Sequence, residues 1–176
     1  GVGVGSISLF IIIPILFLEI LFSISDNYKV IIFFIFQIPL LFYGHWNARK
    51  IRIKNLEIQS NIIDKNLSFI FISDVHIGSN SPKRLDKIVS FVNELKPQFL
   101  LIGGDLIDSS SFKINELFSL KKIKCPIYFV TGNHEYYIQN FQKHLDKFQE
   151  CNIRILNNEA VSHEGINLVG INDNLT

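Results

Sequence analysis

A chain of 176 residues, 48% of them hydrophobic, is long enough to bury one sizeable core, or a smaller core with an appendage. Its net charge of +1 supplies no cationic excess for a polyanion, so no nucleic-acid partner is expected. Two cysteines, Cys125 and Cys151, are too few and too far apart for a disulfide framework or a zinc knuckle, and Cys125 reads as a small buried hydrophobe. The chain has no Met and begins at Gly1, which is expected of a fragment or a processed form.

In chain order, the opening GVGVGS has the look of a dinucleotide-binding glycine turn, but it follows no strand and leads into an apolar run, so it is set aside. Residues 7–25, ISLFIIIPILFLEILFSIS, are interrupted only by Pro14 and Glu19. As a helix they would reach about 28 Å, close to a hydrocarbon core of roughly 30 Å. A second run, residues 30–46, ends in Tyr43, His45 and Trp46, residue types that sit at a membrane interface. The short SDNYK linker predicts a two-helix transmembrane hairpin over 1–46, with the lipid bilayer as its partner. A cleaved signal peptide fits less well, because no basic segment precedes the first run and a second apolar run follows. Lys29 is the one basic residue before Arg49, whereas Arg49, Lys50, Arg52 and Lys54 come directly after the second run. This asymmetry predicts a multi-pass membrane protein whose body, 47–176, is cytoplasmic. Glu19 is expensive in lipid and is expected to face the partner helix, Gln37 or water.

The body alternates strand and helix patterns. IRIKNLEIQ (51–59) alternates apolar and polar residues as a half-exposed strand does, and LSFIFIS (67–73) reads as a buried strand. Ser81-Pro82 supplies an N-cap and a first-turn proline for a helix striped by Leu85, Ile88, Val89, Val92 and Leu95, which Pro97 ends. QFLLIGG (98–104) is the next buried strand, followed by a short amphipathic helix over about 112–120 and by a third strand, IYFVT (127–131). Tyr137, Phe141, Leu145 and Phe148 stripe a further helix, and NIRIL and INLVGI close the chain as strands. Near-continuous apolar strands between helices predict an α/β fold, a mainly parallel sheet flanked by helices.

Polar residues collect where those strands end. The first runs into Asp74-Val75-His76, the second into Gly104-Asp105 with Asp108 three residues on, and the third into Gly132-Asn133-His134-Glu135. In a parallel sheet these exits share one edge, where open α/β sheets place ligands. Singly, each reads equally as a turn or a helix cap. Together they crowd carboxylates that repel one another and lose hydration, so a cation is expected among them. Carboxylate, amide oxygen and imidazole suit Mn, Fe or Zn, whereas a pure calcium site would not use the histidines. Asp74 and His76, two apart, would point to one side of an extended chain and share an ion, and Asp105 is placed to bridge two.

SDVHIGS, GGDLIDSS and TGNHEYY resemble, in order and spacing, the first three motifs of the calcineurin-like metallophosphoesterases, and the apolar N-terminus resembles their membrane-anchored bacterial-type branch. LVGINDN is similar to that branch's Val-Gly-Ile-Asp-Asp segment, with Asn172 in place of an acidic residue. The resemblance covers roughly residues 47–176 and implies the N-terminal portion of a metallophosphoesterase α/β sandwich. It implies two divalent metal ions: Asp74 and His76 on the first, Asp105 between the two, Asn133 on the second. His134 would protonate the leaving group or steady the transition state, with Asp108 and Glu135 in supporting roles. The family completes its site with a lone histidine and a Gly-His-x-His motif further downstream, and its second sheet is expected to be absent here. His45, His144 and His163 do not substitute; the last is expected in an exposed turn.

The implied chemistry is two-metal phosphoester hydrolysis through a bridging hydroxide. With only Asn47 to Lys50 between anchor and body, the substrate is expected to be a lipid-linked or nucleotide-lipid phosphodiester or pyrophosphate; UDP-diacylglucosamine hydrolysis occurs among similar proteins. A second expectation is a truncated, membrane-bound module that binds metal without catalysis. A nuclease is disfavoured, since Lys121, Lys122 and Lys124 form only a small cluster near a helix end.

Overall fold

The structure, a computed structural model, describes residues 2–63 and 65–172, and the chain divides into two compact units, Gly1–Leu56 and Glu57–Thr176. In the first unit, α1 (Val2–Phe22) and α2 (Asp26–Ala48) are both long and apolar enough to cross a membrane. Their large apolar side chains point outward, Phe10 at 81% and Ile20 at 80% exposure, a surface that water does not favour. The spans differ from expectation: α1 stops at Phe22, where Ser23 turns left-handed (φ 48°), and α2 already starts at Asp26. Glu19 faces the partner helix, as expected, and meets Lys29 there. Lys29, in the first turn of α2, places its Nζ 2.6 Å from Glu19 Oε1 and 2.6 Å from Asp26 Oδ1.

The predicted strand over 51–59 does not form. From Arg49 to the next strand the described residues have no regular structure, and Ile53, Leu56 and Ile58 are half or more exposed. Alternation marks a face for burial, but a strand also needs a neighbour to pair with. The stretch before the first sheet strand therefore comprises about 20 irregular residues rather than a four-residue link.

In the second unit, β1 (Phe69–Ile72), β2 (Phe99–Gly103), β3 (Ile127–Val130) and β4 (Ile153–Ile155) form one parallel sheet in that spatial order. The register pairs Ile72 with Ile102 and Gly103 with Val130, so the strand ends line up along one edge. The central strands β2 and β3 are buried on both faces, and their successive side chains serve different cores, whereas β1, expected to be buried, lies at the sheet edge with Phe69 and Phe71 exposed. Leu100, Ile102, Ile127 and Phe129 pack under α3 (Pro82–Leu95) and its Leu85, Val89 and Val92. The same core takes in Leu117 and Leu120 of a 3₁₀ helix (Ile114–Lys122), where a short amphipathic helix is expected over about 112–120. It also takes in Phe141, Leu145 and Phe148, separated by α4 (Asn133–Tyr136) from the strand before them and lying on α5 (Phe141–Phe148). α3 starts as read: Ser81 accepts from the Lys83 N–H at 3.4 Å, and Lys96 ends it in the left-handed region before Pro97.

Phe99, Leu101, Tyr128 and Val130 face the other way. They pack on Leu156 and on an antiparallel hairpin, β5 (Glu159–His163) and β6 (Ile166–Gly170). Part of a second layer is thus present where none was expected, and β5 was not read as a strand. His163 is not in an exposed turn: its ring lies 4.9 Å from Phe99, and its Nδ1 is 3.1 Å from the Tyr128 hydroxyl. The turn comes one residue later, where Glu164 and Gly165 both take positive φ, as a tight hairpin demands.

Candidate metal centre

Backbone hydrogen bonds carry the β1–β2 pairing past the strands' ends. The Asp74 N–H donates to Gly104 O (3.3 Å), the His76 N–H to Asp105 O (3.0 Å) and the Ile77 N–H to Leu106 O (2.8 Å). Within this lacing Asp74, His76 and Asp105 adopt φ of 55°, 53° and 53°. Left-handed conformations cost a β-carbon residue energy and persist where the surroundings impose them; three of them gather at this sheet edge. Asp74 and His76 therefore do not lie on one side of an extended chain, as expected. The left-handed turns bring them together instead, His76 Nε2 standing 3.7 Å from Asp74 Oδ1 and 4.0 Å from Asp105 Oδ2.

Ligand-type atoms of Asp74, His76 and Asp105 lie within 4.8 Å of one another, and so do those of His76, Asp108 and His134. Asp108 lies directly behind His76: its Oδ1 accepts from the Ser79 N–H at 2.9 Å, and its Oδ2 is 3.3 Å from His76 Nδ1. His134 packs edge-on to His76 with ring centroids 4.6 Å apart, and its backbone N–H donates to Asp105 Oδ1 at 3.0 Å. Asn133 opens α4 on the same edge, directly after Gly132.

Glu135 is fully buried and holds two of the exits together. Its Oε2 accepts from the N–H groups of Gly132 (2.8 Å) and Asp105 (2.9 Å), and its Oε1 from those of Leu106 (2.6 Å) and Ile107 (3.1 Å). Burial pushes its carboxyl above the usual range, and the four donors pull in the opposite direction. From sequence Glu135 read as an acidic residue suited to a helix start; here it caps α4 and reaches across to the β2 exit as well. The exits also touch through two glycines. A β-carbon on Gly104, at φ 86°, would sit 2.6 Å from the Gly132 nitrogen, and one on Gly132 would sit 2.3 Å from Asp105 Oδ1.

Sequence reasoning passed over a polar chain beside α4. Thr131 Oγ1 is 3.0 Å from the Tyr136 hydroxyl and 3.3 Å from Oδ1 of Asn172, whose amide reaches Asn157. The usable signal was Thr131 itself, a hydroxyl at the end of an apolar strand. Tyr137, placed in the helix stripe from sequence, is 68% exposed and lies against His134 instead; Ile138 is buried in its stead.

The donor set fits a divalent cation. Two carboxylates converge on His76 Nε2, and the opposite ring nitrogen is buried beside Asp108 without a well-aligned hydrogen bond. A histidine that offers one nitrogen to a metal and directs the other at a carboxylate has this arrangement.

A parallel sheet with helices on one face, a hairpin on the other, and carboxylate and imidazole donors at its strand exits defines an α/β protein suited to binding divalent metal. The model of the calcineurin-like phosphoesterase family matches residues 67–174, and the chain belongs to that family. It is 39% identical over 126 residues to an uncharacterized metallophosphoesterase of Helicobacter pylori, covering 69% of this chain and 34% of that protein. It is 30% identical over 149 residues to a transmembrane protein with metallophosphoesterase domain of Danio rerio, covering 76% of this chain and 34% of that one. A shorter match, 33% over 82 residues, joins it to the UDP-2,3-diacylglucosamine hydrolase of Blochmanniella floridana, covering 40% of this chain and 33% of that enzyme. The chain spans about a third of the length of these relatives.

Proposed function

We propose that the protein is a metal-dependent hydrolase of a phosphodiester or pyrophosphate, with a lipid-linked or nucleotide-lipid substrate, anchored as a multi-pass protein through α1 and α2. The observation that carries the reading is the convergence of Asp74, His76 and Asp105 at the ends of adjacent parallel strands, with His134 packed on His76. Two divalent ions, Mn, Fe or Zn by donor type, would supply an activated water and neutralise charge on the phosphoryl oxygens when bound. Asp74 and His76 would hold the first, Asp105 would lie between the two, and Asn133 would hold the second. His134 would give a proton to the departing oxygen, steadied by its backbone bond to Asp105. Asp108 would fix the His76 ring, and Glu135 would fix the loop that carries Asp105.

The membrane part of the reading rests on two apolar helices, the transmembrane relative and the diacylglucosamine hydrolase. Arg49, Lys50, Arg52 and Lys54 favour a cytoplasmic body. The irregular stretch after α2 removes the argument from a short tether: about 20 residues span up to roughly 70 Å when extended. The test is turnover by the full-length protein with Mn²⁺, comparing lipid-linked with soluble phosphodiesters. A preference for the lipid-linked substrate of roughly tenfold or more in kcat/KM is expected, equivalent to about 1.4 kcal/mol. Equal turnover would remove the lipid specificity, and no Mn²⁺-dependent turnover of either would remove the hydrolase.

A further inference from the structure

Tyr136 and Tyr137 are neighbours in sequence with opposite circumstances. The Tyr136 hydroxyl is engaged with Thr131 at 3.0 Å and its ring lies 6.1 Å from Phe141, so it fastens α4 to its surroundings. Tyr137 is 68% exposed and sits over His134, ring centroids 5.9 Å apart and planes at 79°. The placement has a backbone cause. The Tyr137 N–H donates to His134 O at 3.2 Å, and residues three apart in a helical turn share a face. Exposure rises outward through the three rings in contact: the His76 side chain is 22% exposed, His134 is intermediate, and Tyr137 is open to solvent.

A lone exposed aromatic ordinarily needs no explanation. This one borders the residue proposed to protonate the leaving group, and that restricts what can lie beside it. In hydrolysis the water oxygen bonds to phosphorus, the bond from phosphorus to the departing oxygen breaks, and His134 gives that oxygen its proton. A group within hydrogen-bonding reach of His134 has its substituent within a few ångströms of the same ring. The neighbouring surface on the solvent side is Tyr137.

We propose that Tyr137 contacts the departing group of the substrate and selects for one that is planar and aromatic, such as a nucleoside or an aryl alcohol, over a small alkyl alcohol. The role rests on the hydrolase reading and deepens it, because it places the aromatic part of the substrate, the nucleotide of a nucleotide-lipid, on the leaving side. An aromatic face adds roughly a three- to tenfold preference through stacking, whereas a small alkyl group gains little from it.

The experiment uses the full-length protein with Mn²⁺ and two diesters, bis(p-nitrophenyl) phosphate and bis(2,2,2-trifluoroethyl) phosphate. In parallel, binding of the non-hydrolysable phenylphosphonate and methylphosphonate is measured by calorimetry. Tyr137→Ala is expected to raise KM for the aryl diester and Kd for phenylphosphonate by roughly three- to tenfold, leaving the alkyl partners within about twofold. Tyr137→Phe is expected to restore the aryl values. Equal losses for aryl and alkyl ligands, or no loss for either, would overturn the role. A wild type with no Mn²⁺-dependent hydrolysis of either diester would overturn the hydrolase reading, and this role with it.

Discussion

The two flanks of the candidate centre are held by different means. The exits of β2 and β3 are braced by side chain and packing: Glu135 gathers four N–H groups, Gly104 and Gly132 touch, and the Asp105 and Asp108 side chains are only 13% and 7% exposed. The exit of β1 is laced by backbone bonds, but its carboxylate, Asp74, stands 66% exposed. One flank is preorganised by the protein's own hydrogen bonds, so its ligands need little reordering when a cation arrives. The other presents a carboxylate whose orientation a cation would still have to set. The flanks should therefore respond differently to mutation, the first in folding and the second in ion binding.

The most damaging test of the braced flank is Glu135→Ala. It leaves four backbone N–H groups without their acceptor, those of Leu106 and Ile107 buried, and breaking a buried charged hydrogen-bond centre costs about 3–5 kcal/mol. Thermal unfolding of the detergent-solubilised protein should show the loss with or without Mn²⁺. Glu135→Gln keeps the shape but turns an NH₂ group toward N–H donors, so an intermediate loss is expected. A change below about 0.5 kcal/mol in both variants would mean that the backbone lacing, not Glu135, braces this flank.

Gly132→Ala should cost less, about 1–3 kcal/mol, the usual range for overpacking. At φ −100° Gly132 occupies a conformation open to alanine, so the expected loss is steric and comes from the 2.3 Å approach of the new β-carbon to Asp105 Oδ1. Because the atom displaced belongs to Asp105, the same variant should bind Mn²⁺ more weakly, read by calorimetry. Wild-type stability and affinity in this variant would show that the two exits can part without harm.

These contrasts indicate which features a sequence makes legible. The four strands of the parallel sheet and α3 were readable because continuous apolar runs, a Ser-Pro start and a following Pro report local preferences that tertiary packing reinforces. That Asp74, His76 and Asp105 meet at one sheet edge followed from parallel order. What escaped depends on partners distant in sequence. The alternation over 51–59 specifies a face but supplies no neighbour. Glu135 caps its own helix as any first-turn acid would, and its reach to Leu106 and Ile107 appears only when two exits meet. β5 turns Val161 toward Tyr128 and Phe99 between Glu159 and His163, so the packed side shows a single aliphatic residue and no apolar pattern in the sequence. The sequence alone puts Lys29 in a loop, whereas α2 begins three residues before it, and this hides the Glu19–Lys29 pair. Tyr137 fell out of its predicted stripe because α4 ends and the chain turns before α5, which shifts the phase of the helix.

The smallest expected effect on folding is that of Asp74→Asn, and it is the one that tests the difference between the flanks. Asp74 sits at φ 55°, a region where Asn and Asp are the best-tolerated residues with a β-carbon, so the exchange leaves the backbone unstrained. The side chain is two-thirds exposed, and its nearest polar neighbour in the site is His76 at 3.7 Å, so without metal the change should stay within about 0.5 kcal/mol. With metal the expectation reverses. An ion that binds the folded state adds stability as RT ln(1 + [L]/Kd), about 2.7 kcal/mol at a hundredfold excess over Kd. Replacing a charged ligand by an amide should remove most of that gain, so Mn²⁺ should raise the melting temperature of the wild type and barely move that of the variant. If Asp74→Asn instead unfolded the metal-free protein as severely as Glu135→Ala, the β1 exit would be part of the frame. If it left the Mn²⁺-induced shift intact, Asp74 would not be a ligand, and the centre would reduce to His76 with Asp105, Asp108 and His134 of the braced side.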